Sequence, residues 1–283
     1  HERWGRLAMS DVLAAPISYA NNGFPITPVI AAGFESNRNR FDAVASMIEE
    51  RDNATKTYFP NGVAPKAGAV FKNPDLAGTL TALAEHGRSA FYEGSIARAM
   101  VDYFESIDAD LTLDDLTTHR GEWVEPRGVD YHGYTLYQLP PNGQGFAALM
   151  MLNILKQVDL RRFERGSPEL FHFMVEAKRL AFEAMAGTFA DPAYSAIPID
   201  TLLSDEFAKR QFSRIRPDQV IEPQHLAVPL EGEGDTTYLT VVDGEGMMVS
   251  LIQSNYRGMG SGLVPTGLGF MLQDRGELFS LDP

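Results

Sequence analysis

A mixed α/β fold with layered strands and helices is predicted by three observations. Helical periodicity runs from the start of the chain through Phe104. A strand-like alternation of β-formers sets in after Val129. Two β-rich runs, Thr236–Asp243 and Met247–Gln253, are apolar on both faces.

The elements follow in order. Ser10 or Asp11 is placed to cap a helix carrying Val12, Leu13, Ala15, Ile17 and Tyr19, which Asn21–Asn22–Gly23 ends. Thr27–Pro28 sets the next start, with threonine at the cap and proline at the first helical position. Asn73–Pro74–Asp75 opens another helix, carrying Leu76, Leu80, Leu83 and Ala84, and His86–Gly87 stops it. Ala97, Met100, Val101 and Phe104 continue the helical period. Tyr131 to Leu139 alternates as one strand, broken by Pro140–Pro141–Asn142–Gly143. Gly145 to Leu155 reads as a buried helix, with Gly143 and Gly145 closing the turn before it. Pro168 to Ala186 is a long amphipathic helix on which His172 is read as a partly buried structural residue. Residues 187–235 are rich in Pro, Asp and Glu, and Gln224–Asp235 reads as extended and exposed. The last two runs, joined by Gly244–Glu245–Gly246, form a hairpin. Its two apolar faces suit the middle of a layered fold. A glycine-rich loop, Gly258–Gly269, comes after it.

Composition removes several function classes. The 283 residues are 44% hydrophobic and 22% charged, with mean hydropathy −0.17, so a packed core is expected. Lys and Arg number 24 against 38 Asp and Glu, a formal net of −14. So acidic a surface repels phosphate backbones, and nucleic acid is not an expected partner. No apolar stretch reaches the ~20 residues of a membrane span, so none is expected. Cysteine is absent, which excludes disulfides and thiolate chemistry. No two of the six histidines lie three or four residues apart. The acidic run Asp108, Asp110, Asp114 and Asp115 has no calcium-loop spacing and reads as a solvated flank of a helix. No metal and no organic cofactor is implied. The chain opens without a charged-then-apolar leader, which leaves the compartment open between cytoplasmic and periplasmic or secreted.

Chemistry concentrates at Gly232–Glu233–Gly234–Asp235–Thr236–Thr237–Tyr238, where a polar, glycine-rich segment delivers a hydroxyl to the first position of a β-run. Taken alone, Thr–Thr at a strand start is ordinary β-propensity. Cleavage before Thr236, however, would leave a free α-amine beside its own hydroxyl. Such an amine has a pKa of ~7.7–8.0 and can take the hydroxyl proton, which a hydroxyl nucleophile requires.

The run Thr236–Thr237–Tyr238–Leu239–Thr240–Val241–Val242–Asp243, with Gly246 and Val249–Ser250 after it, resembles the start of the small subunit of γ-glutamyltransferases. Further segments resemble the same family in the same order. They are Trp4–Gly5 with Ala14–Ala15–Pro16–Ile17 and Gly23–Phe24–Pro25; Pro140–Pro141–Asn142–Gly143–Gln144–Gly145 with Leu152–Asn153–Ile154–Leu155; and His172–Phe173, Glu176–Ala177–Lys178, Ala181–Phe182 and Asp191–Pro192. The resemblance covers essentially the whole chain. It implies an αββα sandwich of the N-terminal-nucleophile hydrolase type. It also implies an autoprocessing enzyme that cuts the Asp235–Thr236 bond, leaving residues 1–235 as part of a large subunit and 236–283 as the start of a small one. Thr236 would be nucleophile and, through its α-amine, base, and Ser254 falls where the family often has a hydroxyl that hydrogen-bonds the nucleophile. The substrate would be a γ-glutamyl compound of the glutathione kind, its acyl group passing through an acyl-enzyme to water or an amine.

Departures from the family pattern accompany the match. The arginine expected for the donor α-carboxylate would precede His1, and the oxyanion-hole residues would follow Pro283, so the chain is expected to be the middle of a longer precursor. Tyr256 stands where an asparagine is usual, with Asn255 one place earlier. Where the family carries an Asn-Gln-Met-Asp-Asp-Phe-Ser-like stretch, this chain reads Gln273–Asp274–Arg275–Gly276–Glu277–Leu278–Phe279–Ser280. The acidic residue that would pair with the donor α-amine aligns with Leu278, beside Glu277. Asn255, Tyr256, Arg275 and Glu277 are therefore the expected substrate-binding residues. Loss of a recognition charge changes specificity, which leaves a glutaryl or cephalosporin-like acylase, or a catalytically silent relative, as alternatives.

Overall fold

The computed structural model describes residues 1–221 and 234–279, apart from the side chains of Gly234 and Asp235. They fall into two compact units, one of residues 1–120 with 232–283 and one of residues 121–231.

The first unit opens with α1 (Met9–Asn22), β1 (Phe24–Pro25), α2 (Pro28–Ala43), α3 (Asp52–Tyr58), β2 (Val70–Phe71), α4 (Pro74–His86), α5 (Arg88–Tyr92), α6 (Ser95–Ser106) and α7 (Leu113–Thr118). Two of its starts are capped as the sequence predicts. Thr27 Oγ1 accepts from Ile30 N at 3.3 Å, and Asn73 Oδ1 accepts from Leu76 N at 3.0 Å. α1 differs from expectation. It begins at Met9 after Ala8, with no side-chain cap, and Ser10 and Asp11 lie inside its first turn, where the Asp11 carboxylate faces the positive end of the helix dipole. The acidic run ends in a capping box: Thr112 and Asp115 exchange bonds at the start of α7, and the Thr112 hydroxyl and amide hold the Asp115 carboxyl below its ordinary pKa.

The second unit holds β3 (Arg127–Tyr131), β4 (Tyr134–Gln138), α8 (Phe146–Leu155), α9 (Pro168–Ala186), α10 (Ile199–Leu202) and α11 (Asp205–Phe212). The single strand expected over Tyr131–Leu139 is instead the second arm of a hairpin, β3 pairing antiparallel with β4. His132 (φ 52°) and Gly133 (φ 88°) form the two-residue turn, with both residues in the left-handed region that hairpin twist favours. Within the acidic stretch after residue 187, Ser204 caps α11 by accepting from Phe207 N at 3.1 Å. The expected extension of Gln224–Asp235 falls mainly on residues 222–233, outside the described residues.

α8 is buried nearly all round and meets α9 across Phe146, Leu149, Met150 and Ala181. Glu176 is 1% exposed; its carboxylate accepts from Ile221 N at 2.7 Å and from Arg179 Nη1 at 3.3 Å. A buried charge placed this way is satisfied. His172 is half-buried, as predicted, with Nε2 2.7 Å from the Arg216 carbonyl oxygen.

The chain returns to the first unit as β5 (Gly234–Val242) and β6 (Met248–Arg257), an antiparallel ribbon. Asp243 closes its turn, Oδ1 accepting from Glu245 N and Met247 N, each at 2.9 Å. The pairing agrees with the sequence. Among the described residues Tyr238, Leu239, Val241, Val242, Met248, Val249, Leu251 and Ile252 are exposed, and β5 and β6 pair with each other alone. The glycine-rich stretch after β6 is the buried part: Val264 and Met271 pack with Phe41, Ala54 and Phe59, and Leu268 packs with Ala90, Ile96 and Met100. Among the described residues, no helix is long and apolar enough to cross a membrane.

Candidate active site

The hairpin register sets Thr236 opposite Ser254. With the turn centred near Gly244–Glu245, residues 18 apart in sequence become neighbours, and the Thr236 hydroxyl donates to Ser254 Oγ at 2.9 Å. Ser254 Oγ accepts a second bond, from Tyr256 N at 2.9 Å. Thr236 is exposed and Ser254 half-buried. The expected nucleophile and its supporting hydroxyl are thus brought together at the open end of the ribbon.

Just beyond this pair the ladder slips. Gly234 faces Arg257 while Thr236 faces Ser254, so Asn255 and Tyr256 together oppose Asp235. This is a β-bulge on β6 directly across from the Asp235–Thr236 peptide. Tyr256 takes φ 78° there, in a region an aromatic residue seldom occupies. The bulge turns the Tyr256 amide onto the Ser254 hydroxyl.

The other expected substrate residues divide. Arg275 lies with its guanidinium carbon 5.6 Å from the centre of the Tyr256 ring. Glu277 Oε1 is 2.6 Å from Arg257 Nη2, so its carboxylate is engaged by a neighbouring cation. Asn255 contributes its backbone carbonyl, which accepts from Asp274 N at 3.2 Å. Leu278 is exposed. Arg257 and Asp274 escaped the sequence reading. Arg257 stands twenty residues from Glu277, and no local spacing marks the pair. Among the described residues no group of three or more His, Cys, Asp or Glu side chains could hold a metal ion. The chemistry available at this place is that of two hydroxyls in one hydrogen-bonded line, beside a strained backbone and a balanced set of Arg257, Arg275, Asp274 and Glu277.

With that geometry in view, comparison with known proteins decides the family. Residues 1–283 match the family described as gamma-glutamyltranspeptidase. The chain belongs to it. A glutathione hydrolase-like proenzyme, YwrD, of Bacillus subtilis (strain 168) is 39% identical over 99% of this chain and 51% of its own length. An oxamate amidohydrolase proenzyme of Klebsiella pneumoniae is 32% identical over 98% of this chain and 50% of its own. The crystal structure of a cephalosporin acylase from Bacillus halodurans superposes with TM-score 0.88 at 36% identity, over all of this chain and 51% of that one. The chain spans about half the length of the relatives it matches. Its mixed α/β fold is that of the N-terminal-nucleophile hydrolases to which these structures belong, with the acylase-like branch among its neighbours.

Proposed function

We propose that the protein to which these residues belong is a self-cleaving amide hydrolase or acyltransferase with Thr236 as nucleophile. The observation that carries this reading is the Thr236–Ser254 hydroxyl pair, 2.9 Å apart at the strand start that the family resemblance marks as the cleavage site. In self-cleavage the Thr236 oxygen adds to the Asp235 carbonyl carbon and its proton passes to the Thr236 nitrogen. The Asp235–Thr236 C–N bond breaks as the ester forms, and water then splits the ester, restoring the hydroxyl and freeing the α-amine. In turnover that amine takes the hydroxyl proton while the oxygen attacks the γ-glutamyl amide of a glutathione-like compound. The leaving amine departs with a proton, and water or an amine acceptor takes the acyl group from Thr236. The large and small subunits then arise from one precursor.

The test is an intact mass of the whole purified precursor, beside its Thr236→Ala variant. Wild type is expected as two chains, the second beginning at Thr236, and the variant as one. A folded wild-type precursor that stays whole would favour a silent member of the family.

A second reading of the donor is favoured by one observation, the engagement of Glu277 by Arg257 at 2.6 Å. A donor α-amine then meets a carboxylate that already has a partner, and with Leu278 in the aligned position an acyl group lacking that amine fits better. Release rates from a γ-glutamyl and a glutaryl amide of the same chromogenic amine separate the two. Faster γ-glutamyl release supports the first reading, and faster glutaryl release the second.

A further inference from the structure

Asp274 is half-buried at the entrance to the short turn Arg275–Leu278. Its amide donates to the Asn255 carbonyl oxygen at 3.2 Å, and its Oδ1 accepts from Arg257 N at 3.2 Å. One residue therefore holds the backbone on both sides of Tyr256. Those two groups flank the bulge, where the β5 ladder skips a residue. Two further contacts run from the same turn to the same bulge: the Glu277–Arg257 pair and the Arg275 guanidinium over the Tyr256 ring. The segment leading to Asp274 is itself anchored, because Leu272 N donates to the Leu263 carbonyl at 3.0 Å and Ser261 N donates to the Leu272 carbonyl at 2.9 Å.

A bulge holding a tyrosine at φ 78° does not keep that shape unaided. A non-glycine residue in this region is strained and persists only where its surroundings over-determine it. Here the surroundings are Asp274. The bulge in turn aims the Tyr256 N–H at Ser254 Oγ, which accepts the Thr236 hydroxyl. We infer that Asp274 is a positioning residue for the reaction at Thr236: its side-chain oxygen and amide clamp the β6 bulge and so hold the Ser254 hydroxyl against Thr236 opposite the Asp235–Thr236 bond. The role is geometric. What matters is an acceptor oxygen at the reach of Oδ1, not the negative charge. The inference rests on Thr236 being the self-cleaving residue.

Two conservative variants of the whole precursor separate geometry from charge. Asp274→Asn keeps an oxygen at the same distance and removes the charge. Asp274→Glu keeps the charge and moves the oxygen one methylene further. Self-cleavage is followed by intact mass, on protein whose folding is checked by thermal melting, with wild type and Thr236→Ala in parallel. Asp274→Asn is expected to cleave within about threefold of wild type, and Asp274→Glu to be slowed about tenfold or more, since a misplacement of ~1 Å costs up to ~10²-fold. Asp274→Ala, where it folds, is expected to be slower still. Equal rates for Asp274→Asn and Asp274→Glu, or a slower Asp274→Asn, would overturn the clamp alone. A wild-type precursor that never cleaves removes the nucleophile reading and the clamp with it.

Discussion

The ribbon of β5 and β6 and the glycine-rich stretch that follows it are held in opposite ways. Along the ribbon, apolar side chains such as Val242, Met248 and Ile252 are exposed. In the stretch from Leu263 to Met271, Leu263, Val264, Leu268 and Met271 are buried, and polar side chains from α3 and α4 reach in to its backbone. Asn53 Nδ2 donates to the Val264 carbonyl at 3.0 Å, Asn73 Nδ2 to Gly269 at 2.7 Å and Thr79 Oγ1 to Leu268 at 2.8 Å. Buried carbonyls left without such donors would each cost about 1–3 kcal/mol. The candidate nucleophile thus lies on the exposed element, while the residues that position it, Asn255–Arg257 and Asp274–Glu277, extend from the two ends of the buried one. A site placed on a rigid support keeps its geometry while its own surface stays open.

The largest way to break this contrast acts on the buried stretch. Gly269 has φ 70°, and a Cβ there would run into the Leu76 amide and the Asn73 side-chain oxygen. Both neighbours belong to the start of α4, so neither can swing aside. Gly269→Ala is expected to destabilise the protein by about 3 kcal/mol or more, adding left-handed strain to overpacking. Urea unfolding of the precursor measures it. A loss below about 1 kcal/mol would mean that this stretch is less tightly held than its hydrogen bonds require.

The two regions were also unequally legible in the sequence. The Thr236–Ser254 pairing was expected from the family resemblance alone, and the hairpin register is what realises it. The helix starts at Thr27 and Asn73 could be read because cap and first-turn proline are adjacent in the chain. The β3–β4 hairpin was hidden because its turn opens with His132 in place of the usual Asn or Asp. Burial of the glycine-rich stretch was hidden for a different reason: Asn73 and Gly269 are 196 residues apart, and nothing local in either announces the bond. Arg257–Glu277 and the Asp274 bonds are likewise tertiary, formed where the bulge brings β6 against the turn after Asp274.

Ser254→Ala sharpens the contrast from the exposed side. It removes the acceptor of both the Thr236 hydroxyl and the Tyr256 amide. Self-cleavage of the precursor is expected to slow about tenfold, close to 1.4 kcal/mol of barrier. The unfolding free energy from urea denaturation should change by no more than about 0.5 kcal/mol, as for substitutions away from a core. A large loss of stability with unchanged cleavage would reverse the roles assigned to the two regions.

The smallest effect at neutral pH belongs to Tyr58, whose hydroxyl donates to the Gly269 carbonyl at 3.3 Å. Tyr58→Phe forfeits one long hydrogen bond, about 0.5–1 kcal/mol, but it changes the response to alkali. Burial pushes the Tyr58 phenol from its ordinary value of 10.0 up to about 12. The folded state therefore holds this proton more tightly than the unfolded chain does. The stability linked to it is whole below pH 10 and drains away as the pH rises toward 12. Tyr103, buried and 3.1 Å from the Glu50 carboxylate, is pushed up as well. The difference in unfolding free energy between wild type and Tyr58→Phe, measured from pH 9 upward, should shrink as Tyr58 ionises and then change sign. A difference that stays constant across that window would show that the Tyr58 ring meets water, and that the buried stretch is open on the side facing α3.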